Sequence, residues 1–287
     1  MATTREYKKR IHSVKNTQQM TKAMKMVSAA KLRKAQEAIV TARPYALKLK
    51  EILGGIAFRA DISDHYLLMR RPLRKVRVFI LSSDRGLCGS FNAGILRQSL
   101  LFLKENQSTF DHVELGFVGK RGYEFFKKRN WKIFNYYEDI LDDHSYDSAA
   151  KITQDILENY KTTQLDAVFF IYNEFKSAIS QKVVIEELLP VSRIDIGTRD
   201  EHVDYIYEPR KEDILDEILP KHVGIQVYRM LLETSASEHG ARMSAMDSAT
   251  RNASEMISRL TLLANRLRQQ AITTELVEIV SGAEALG

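Results

Sequence analysis

The 287-residue chain has a single cysteine, Cys88, five prolines and one tryptophan. One cysteine excludes an internal disulfide and any dithiol switch within the chain. No run of 18 uncharged apolar residues is present, so no membrane span is expected. The first residues, Met1-Ala-Thr-Thr-Arg-Glu6, lack an apolar signal core, and secretion is not expected. The seven histidines, at 12, 65, 112, 144, 202, 222 and 239, show no metal-ligand spacing. Asp142-Asp-His144 reads as a solvated loop. Hydrophobic residues at 44% and charged residues at 28% describe an ordinary soluble protein of one to two domains.

Proline and glycine are scarcest at the two ends. After Pro220 no proline follows, and a three-four ladder runs through Leu232, Ala236, His239, Met243, Met246, Thr250, Ala253, Ile257, Leu260, Ala264, Leu267 and Ala271. All but His239 and Thr250 are apolar, the seam of a sustained coiled coil. A helix from about Val223 to Ala285 would be about 95 Å long at ~1.5 Å per residue. It needs a partner, and the other end supplies one. Thr4 to Phe58 has no glycine before Gly54 and one proline, Pro44. Its looser stripe is Ile11, Val14, Met20, Met24, Val27, Ala30, Ala38, Tyr45, Leu49, Ile52 and Ile56. The two segments are expected to pair antiparallel. Pro44 inside a helix costs ~3 kcal/mol, and a bend is expected near Arg43.

Charge is unevenly spread. Residues 1–50 hold thirteen Lys and Arg against Glu6 and Glu37, a local balance of +11. The net charge of +6 therefore leaves −5 over the other 237 residues. A basic helix suits an acidic partner, a nucleic-acid backbone or an anionic surface. Only Tyr7 and Tyr45 are aromatic in it and no reading motif accompanies it, which disfavours nucleic acid.

The middle alternates strand and helix: strands at 76–81, 113–118, 167–172 and 182–189, helices at 91–105, 121–128 and 148–160. That pattern predicts an α/β domain with a mainly parallel, Rossmann-like sheet. The loop Asp84-Arg-Gly-Leu-Cys-Gly-Ser-Phe-Asn92 sits where phosphate loops sit, between a strand and a helix. It lacks the Lys-Ser/Thr pair after its last glycine, and Asn92 stands where the dinucleotide fingerprint needs a third glycine. A tight turn with Gly86 and Gly89 for backbone freedom, capped by Ser90 or Asn92, accounts for it. Cys88 preceding a helix is a nucleophile in principle, and a small turn-packing residue otherwise. Two readings compete on these features: a nucleotide-binding enzyme built on residues 74–200, and a basic coiled-coil scaffold or nucleic-acid binder.

Five segments carry a resemblance. Ile272-Thr-Thr-Glu-Leu-Val-Glu-Ile-Val-Ser-Gly-Ala-Glu-Ala285 resembles the C-terminal signature of the gamma subunits of F-type, proton-translocating ATP synthases, of bacterial type. Ile11 to Val27 is similar to that family's first helix, Ser83-Asp-Arg-Gly-Leu-Cys-Gly89 to its central loop. Ser237-Glu-His-Gly-Ala-Arg-Met243 and Asn265-Arg-Leu-Arg-Gln269 resemble blocks of its last helix. The resemblance implies a non-catalytic rotor without cofactor, inside a ring of alpha and beta subunits, on a membrane ring of c subunits, beside epsilon. Membrane association then comes only through partners, at the cytoplasmic face of the inner membrane. It implies a coiled-coil shaft from 1–58 and 210–287, a central α/β domain at 74–200, and connections at 59–73 and 201–209. Met24, Lys22 and Lys25 are then expected to face an acidic loop of beta, and Arg242, Arg268, Gln269, Thr273, Glu275 and Glu278 to serve coupling. Gly240, where the family commonly has alanine, is expected to soften the shaft, since glycine costs roughly 1 kcal/mol in mid-helix.

Overall fold

The computed structural model describes residues 4–57, 65–162, 165–192 and 211–284. In chain order the elements are α1 (Thr4–Ala57), β1 (Lys75–Leu81), α2 (Phe91–Glu105), β2 (His112–Val118), α3 (Lys120–Lys127), β3 (Lys132–Tyr137), a 3-10 turn (Ile140–Asp142), α4 (Tyr146–Lys161), β4 (Ala167–Phe175), β5 (Gln181–Leu189) and α5 (Lys211–Glu284). They form two compact units, Met1–Ser28 with Met243–Gly287, and Ala29–Arg242.

The first unit is a two-helix coil. Hydrogen bonds cross it from Gln18 to Ser254 (2.6 Å) and between Thr21 and Thr250 (2.8 Å), and Lys25 meets Asp247 at 2.6 Å. The advance from Gln18 to Lys25 on α1 is matched by an equal retreat from Ser254 to Asp247 on α5, so the helices are antiparallel. Buried and half-buried positions of α1 recur at 7, 11, 14, 18, 21, 25 and 28, an unbroken alternation of fours and threes, with Met24 flanking it. On α5 the expected ladder holds from Met243 to Leu267. Ala271 is exposed, and the register brings Leu267 opposite the first described turn of α1.

The stripe expected on α1 holds in part, since Ile11, Val14, Met24, Ala38, Leu49 and Ile52 are buried or half-buried. Met20, Val27 and Tyr45 are 65%, 57% and 58% exposed, while Thr21 and Ser28 are buried. Apolar residues were an incomplete guide because the seam adds hydroxyl side chains to Ile11 and Val14, and Thr21 bonds across it. α1 runs unbroken through Pro44, which is exposed, as is Val40, whose carbonyl loses its donor to the proline. That carbonyl lies on the solvent side, so no buried group is orphaned there. α5 likewise begins at Lys211, well before Val223, and passes through Pro220, with Leu215 and Leu219 already buried.

The second unit is built on a five-stranded sheet of order β3-β2-β1-β4-β5, parallel except where β5 joins β4 by a hairpin. The alternation along β1 divides the core. Val78 and Ile80 pack with Ile95, Phe117 and Phe126 beneath α2 and α3. Phe79 and Leu81 pack with Ile152, Ile156 and Phe170 beneath α4, together with Leu49 and Leu53 of α1 and Leu219, Val223 and Met230 of α5. The long helices thus replace the last covering helix of the sheet. β3 and the 3-10 turn escaped the sequence reading. Lys132-Ile-Phe-Asn-Tyr-Tyr137 is a short edge strand and is mostly half-buried, so its apolar run is weak.

Candidate functional site: the polar ties of the long helices

After β1 the chain turns sharply into α2. Gly89 (φ 59°) and Leu87 (φ 63°) are left-handed, whereas Gly86 is not. At Gly86 a Cβ would stand in ordinary contact, 3.4 Å from the Arg121 guanidinium, so neither backbone freedom nor space demands glycine there. Ser90 makes no side-chain cap bond. Asn92 works in the opposite direction: its Oδ1 accepts the Ser83 backbone N–H (3.1 Å), and its Nδ2 donates to Ser83 Oγ (2.7 Å) and Cys88 Sγ (3.2 Å). Cys88 is 1% exposed and packs inside the turn. The carbonyls of Arg85 and Gly86 both point at Arg242 of α5, which donates to them at 3.3 and 3.4 Å. A phosphate loop converges backbone N–H groups. Here two of the loop's carbonyls converge on a cation.

Arg242 was expected to serve coupling. It is buried, with its side chain 10% exposed, and it pairs with Glu238 one turn earlier at 2.7 Å. Burial pushes the Glu238 carboxyl up, and the Arg242 charge opposes that rise. Arg242 Nη1 also approaches His239 Nδ1 at 3.3 Å. A guanidinium can only donate, so Nδ1 is the acceptor and the imidazole proton sits on Nε2. Burial first, and Arg242 second, lower His239 to about 4, so it is neutral at pH 7. Its Nε2 faces Asp142 Oδ1 at 3.6 Å. Asp142 Oδ2 accepts from Lys31 of α1 at 2.7 Å. Burial acts to raise Asp142, but the Lys31 hydrogen bond and the neighbouring positive charges hold it below the usual carboxylate value.

Asp142 and Asp143 are exposed, as a solvated loop requires, but the segment is tied down by side-chain bonds. Asp143 accepts from Ser145 N (3.1 Å), Ser145 Oγ (2.7 Å) and Ser148 Oγ (2.8 Å), fixing the start of α4. His144 Nε2 lies 3.1 Å from Ser235 Oγ, and its carbonyl accepts from Tyr228. Gly240 is explained by packing. A Cβ there would lie 3.2 Å from the backbone Cα and O of Ala178 in the β4–β5 hairpin. It marks a close approach of α5 to that hairpin.

The other expected residues lie in the coil unit. Lys22 is exposed, and Met24 and Lys25 are half-buried. Lys25 spends its charge on Asp247, which also pairs with Arg251 at 3.1 Å. Of the two lysines, Lys22 alone presents its charge outward. Arg268, Gln269, Thr273, Glu275 and Glu278 all stand exposed along the end of α5, where its partner helix runs out among the described residues. The Thr273 hydroxyl turns back to the Gln269 carbonyl (2.9 Å). Beside them Ile272, Leu276, Ile279 and Val280 form an apolar face, 50 to 68% exposed. The sequence reading missed Glu238 and Asp142. The Glu238–Arg242 spacing of four was legible as a helix pair. Nothing local marked Asp142.

Among the described residues no group of three potential metal ligands is present, and no helix is long and apolar enough to cross a membrane.

A family model described as ATP synthase matches residues 3–286. The ATP synthase gamma chain of Geobacter metallireducens is 50% identical over 286 residues, covering 100% of this chain and 99% of that one. The gamma chain of Anaeromyxobacter sp. strain Fw109-5 is 50% identical over 289 residues, covering 100% of both. Among solved structures, a chain of the Tetrahymena thermophila mitochondrial ATP synthase central stalk and c-ring matches at TM-score 0.60 and 30% identity, over 80% of this chain and 99% of that one. A chain of the Euglena gracilis mitochondrial enzyme shares the fold at TM-score 0.67 and 20% identity, over 99% of this chain and 94% of that one. Antiparallel long helices, an inserted α/β sheet and full-length identity of this order agree: the chain belongs to the gamma-chain family of the ATP synthases.

Proposed function

We propose that the chain is the rotor of a bacterial ATP synthase, carrying rotation of the membrane c-ring to the catalytic alpha/beta hexamer. It makes and breaks no bonds itself and holds no cofactor. Segments 1–58 and 210–287 form the shaft, 74–200 the foot domain, and 59–73 with 201–209 the connections. The c-ring and epsilon sit against the foot, on the cytoplasmic face of the membrane, and nucleic acid has no part.

The observation that carries this reading is the end of α5. Every residue from Ala271 to Ala283 is exposed, and the stretch includes the large apolar side chains of Ile272, Leu276, Ile279 and Val280. A contiguous apolar face of this kind marks a surface that another protein covers. An alpha/beta collar supplies that cover. Arg268, Gln269, Thr273, Glu275 and Glu278 then line the moving contact. Lys22, on the outward side of α1, and Met24, beside the seam, meet an acidic loop of beta, with Lys25 holding the local register through Asp247. Arg242 serves coupling from inside, by fastening α5 to the loop after β1.

The test is reconstitution of the ATPase with and without the chain in sealed vesicles. Proton pumping driven by ATP should require the chain. Pumping that persists undiminished without it refutes the rotor reading. Specific ATP binding by the chain alone would favour the enzyme reading instead.

A further inference from the structure

The 3-10 turn Ile140–Asp142 lies between β3 and α4, outside both long helices. Asp139 before it is left-handed (φ 56°), Leu141 within it is buried, and the Asp143 N–H closes it on the Ile140 carbonyl at 3.2 Å. Asp143 and His144 are each fixed by bonds of their own, to α4 and α5. The turn is thus held from three sides, and Asp142 projects from a rigid mount. Its two carboxylate oxygens go to different helices, Oδ2 to Lys31 of α1 and Oδ1 toward His239 of α5.

We propose that Asp142 is a torque peg: a positioning residue through which the α/β fold grips both shaft helices at one level, so that they turn with it as one body. The inference rests on the rotor reading. A series of polar contacts runs Glu238–Arg242–His239–Asp142–Lys31. Arg242 anchors α5 to the loop after β1, the neutral His239 of the same turn lies in polar contact with Asp142 at 3.6 Å, the neighbouring His144 meets Ser235 of α5 at 3.1 Å, and Asp142 bonds Lys31 of α1. Each helix is therefore held by side chains pointing across its axis, the direction in which rotation loads it.

Thermodynamic stability is a poor account of the pair. The Lys31 and Asp142 side chains are 37% and 50% exposed, and exposed pairs add little to folding. A weak contact still fixes register when its two ends are rigidly mounted. Lys31 stands on a helix whose neighbours Leu32 and Ala35 are buried.

The test uses the assembled, membrane-reconstituted complex and reads the ratio of ATP-driven proton pumping to ATP hydrolysis. Asp142→Asn should lower that ratio by about two- to five-fold, the range an exposed ion pair commands, with assembly and hydrolysis retained. The exchange Lys31→Asp with Asp142→Lys should recover most of the ratio, because the cross-helix tie is restored with its ends reversed. A purely structural turn would not be rescued by the exchange. An unchanged ratio in Asp142→Asn overturns the proposal, as does loss that the exchange fails to mend. A complex lacking the chain serves as control. If that complex pumps normally, it is the rotor reading that falls, and if it does not pump while Asp142→Asn pumps normally, the peg alone falls.

Discussion

Replacing Arg242 by methionine should produce a defect that grows with pH. Methionine fills much of the arginine stem's volume but leaves the Glu238 carboxylate, 8% exposed, without its partner at 2.7 Å. An unpaired buried charge of this kind costs ~3–5 kcal/mol. Glu238 has a second option, which is to take up a proton. Its folded value is already raised by burial, and Arg242 is what restrains it. Without Arg242 the folded value rises further above the unfolded one of about 4.3. The native state then binds more protons than the unfolded state, so stability is fully present below about pH 4.3 and is lost as pH rises toward the folded value. The loss is ~1.4 kcal/mol per pH unit, reaching about 2 kcal/mol at pH 6 and levelling off near the ~3–5 kcal/mol of the unpaired charge. Urea unfolding of the purified chain, followed by helical circular dichroism at pH 6 and pH 8, measures this directly. Adding Glu238→Gln should flatten the pH dependence and return ~2 kcal/mol at pH 8. A variant as stable as the parent at pH 8, or one whose pH slope survives Glu238→Gln, would refute the burial argument.

Gly240→Val should destabilise by ~1–3 kcal/mol, since its side chain meets the Ala178 backbone where even a Cβ stands at 3.2 Å; urea midpoints check it. Cys88→Ala should cost ~1 kcal/mol and leave hydrolysis and pumping within about two-fold, with no difference between oxidising and reducing conditions. Met24→Lys adds a third positive charge beside Lys22 and Lys25. It should impair pumping more than hydrolysis in reconstituted vesicles; equal effects on both would remove Met24 from the moving contact. Truncation after Gln270 should change the unfolding free energy of the remainder by no more than ~0.5 kcal/mol in urea titration, because residues 271–283 are all exposed.

The sequence disclosed some of these features and hid others for definable reasons. The ladder of α5 was countable because its seam residues are apolar over many turns. On α1 the seam adds Gln18, Thr21 and Ser28 to Ile11 and Val14, while Met20 and Val27 face outward, so hydrophobic periodicity traced the seam only in part. The inner strands were legible from continuous apolar runs, and the edge strand β3 was not. Pro220 looked like a helix boundary, but propensity is a local preference, and buried Leu215 and Leu219 outweigh it. The site divides the same way. Exposed residues of the last helix were found by resemblance to a signature. The burial of Arg242 depends on a loop 156 residues away in sequence, and the role of Asp142 on Lys31 and His239, which lie 111 residues before it and 97 after it. Such long-range meetings have no local mark.

The unbroken fours and threes of the seam have a mechanical consequence. A repeat of 3.5 residues per turn falls short of the 3.6 of a straight helix, and the mismatch winds a helix pair into a left-handed superhelix. Such a rope is handed. Turning one end in the sense of its winding presses the seam closer, against the Thr21–Thr250 contact at 2.8 Å. Turning it the other way opens the seam, and the Gln18–Ser254 and Thr21–Thr250 bonds resist first. The coil's torsional spring is therefore stiffer in one direction of rotation than in the other.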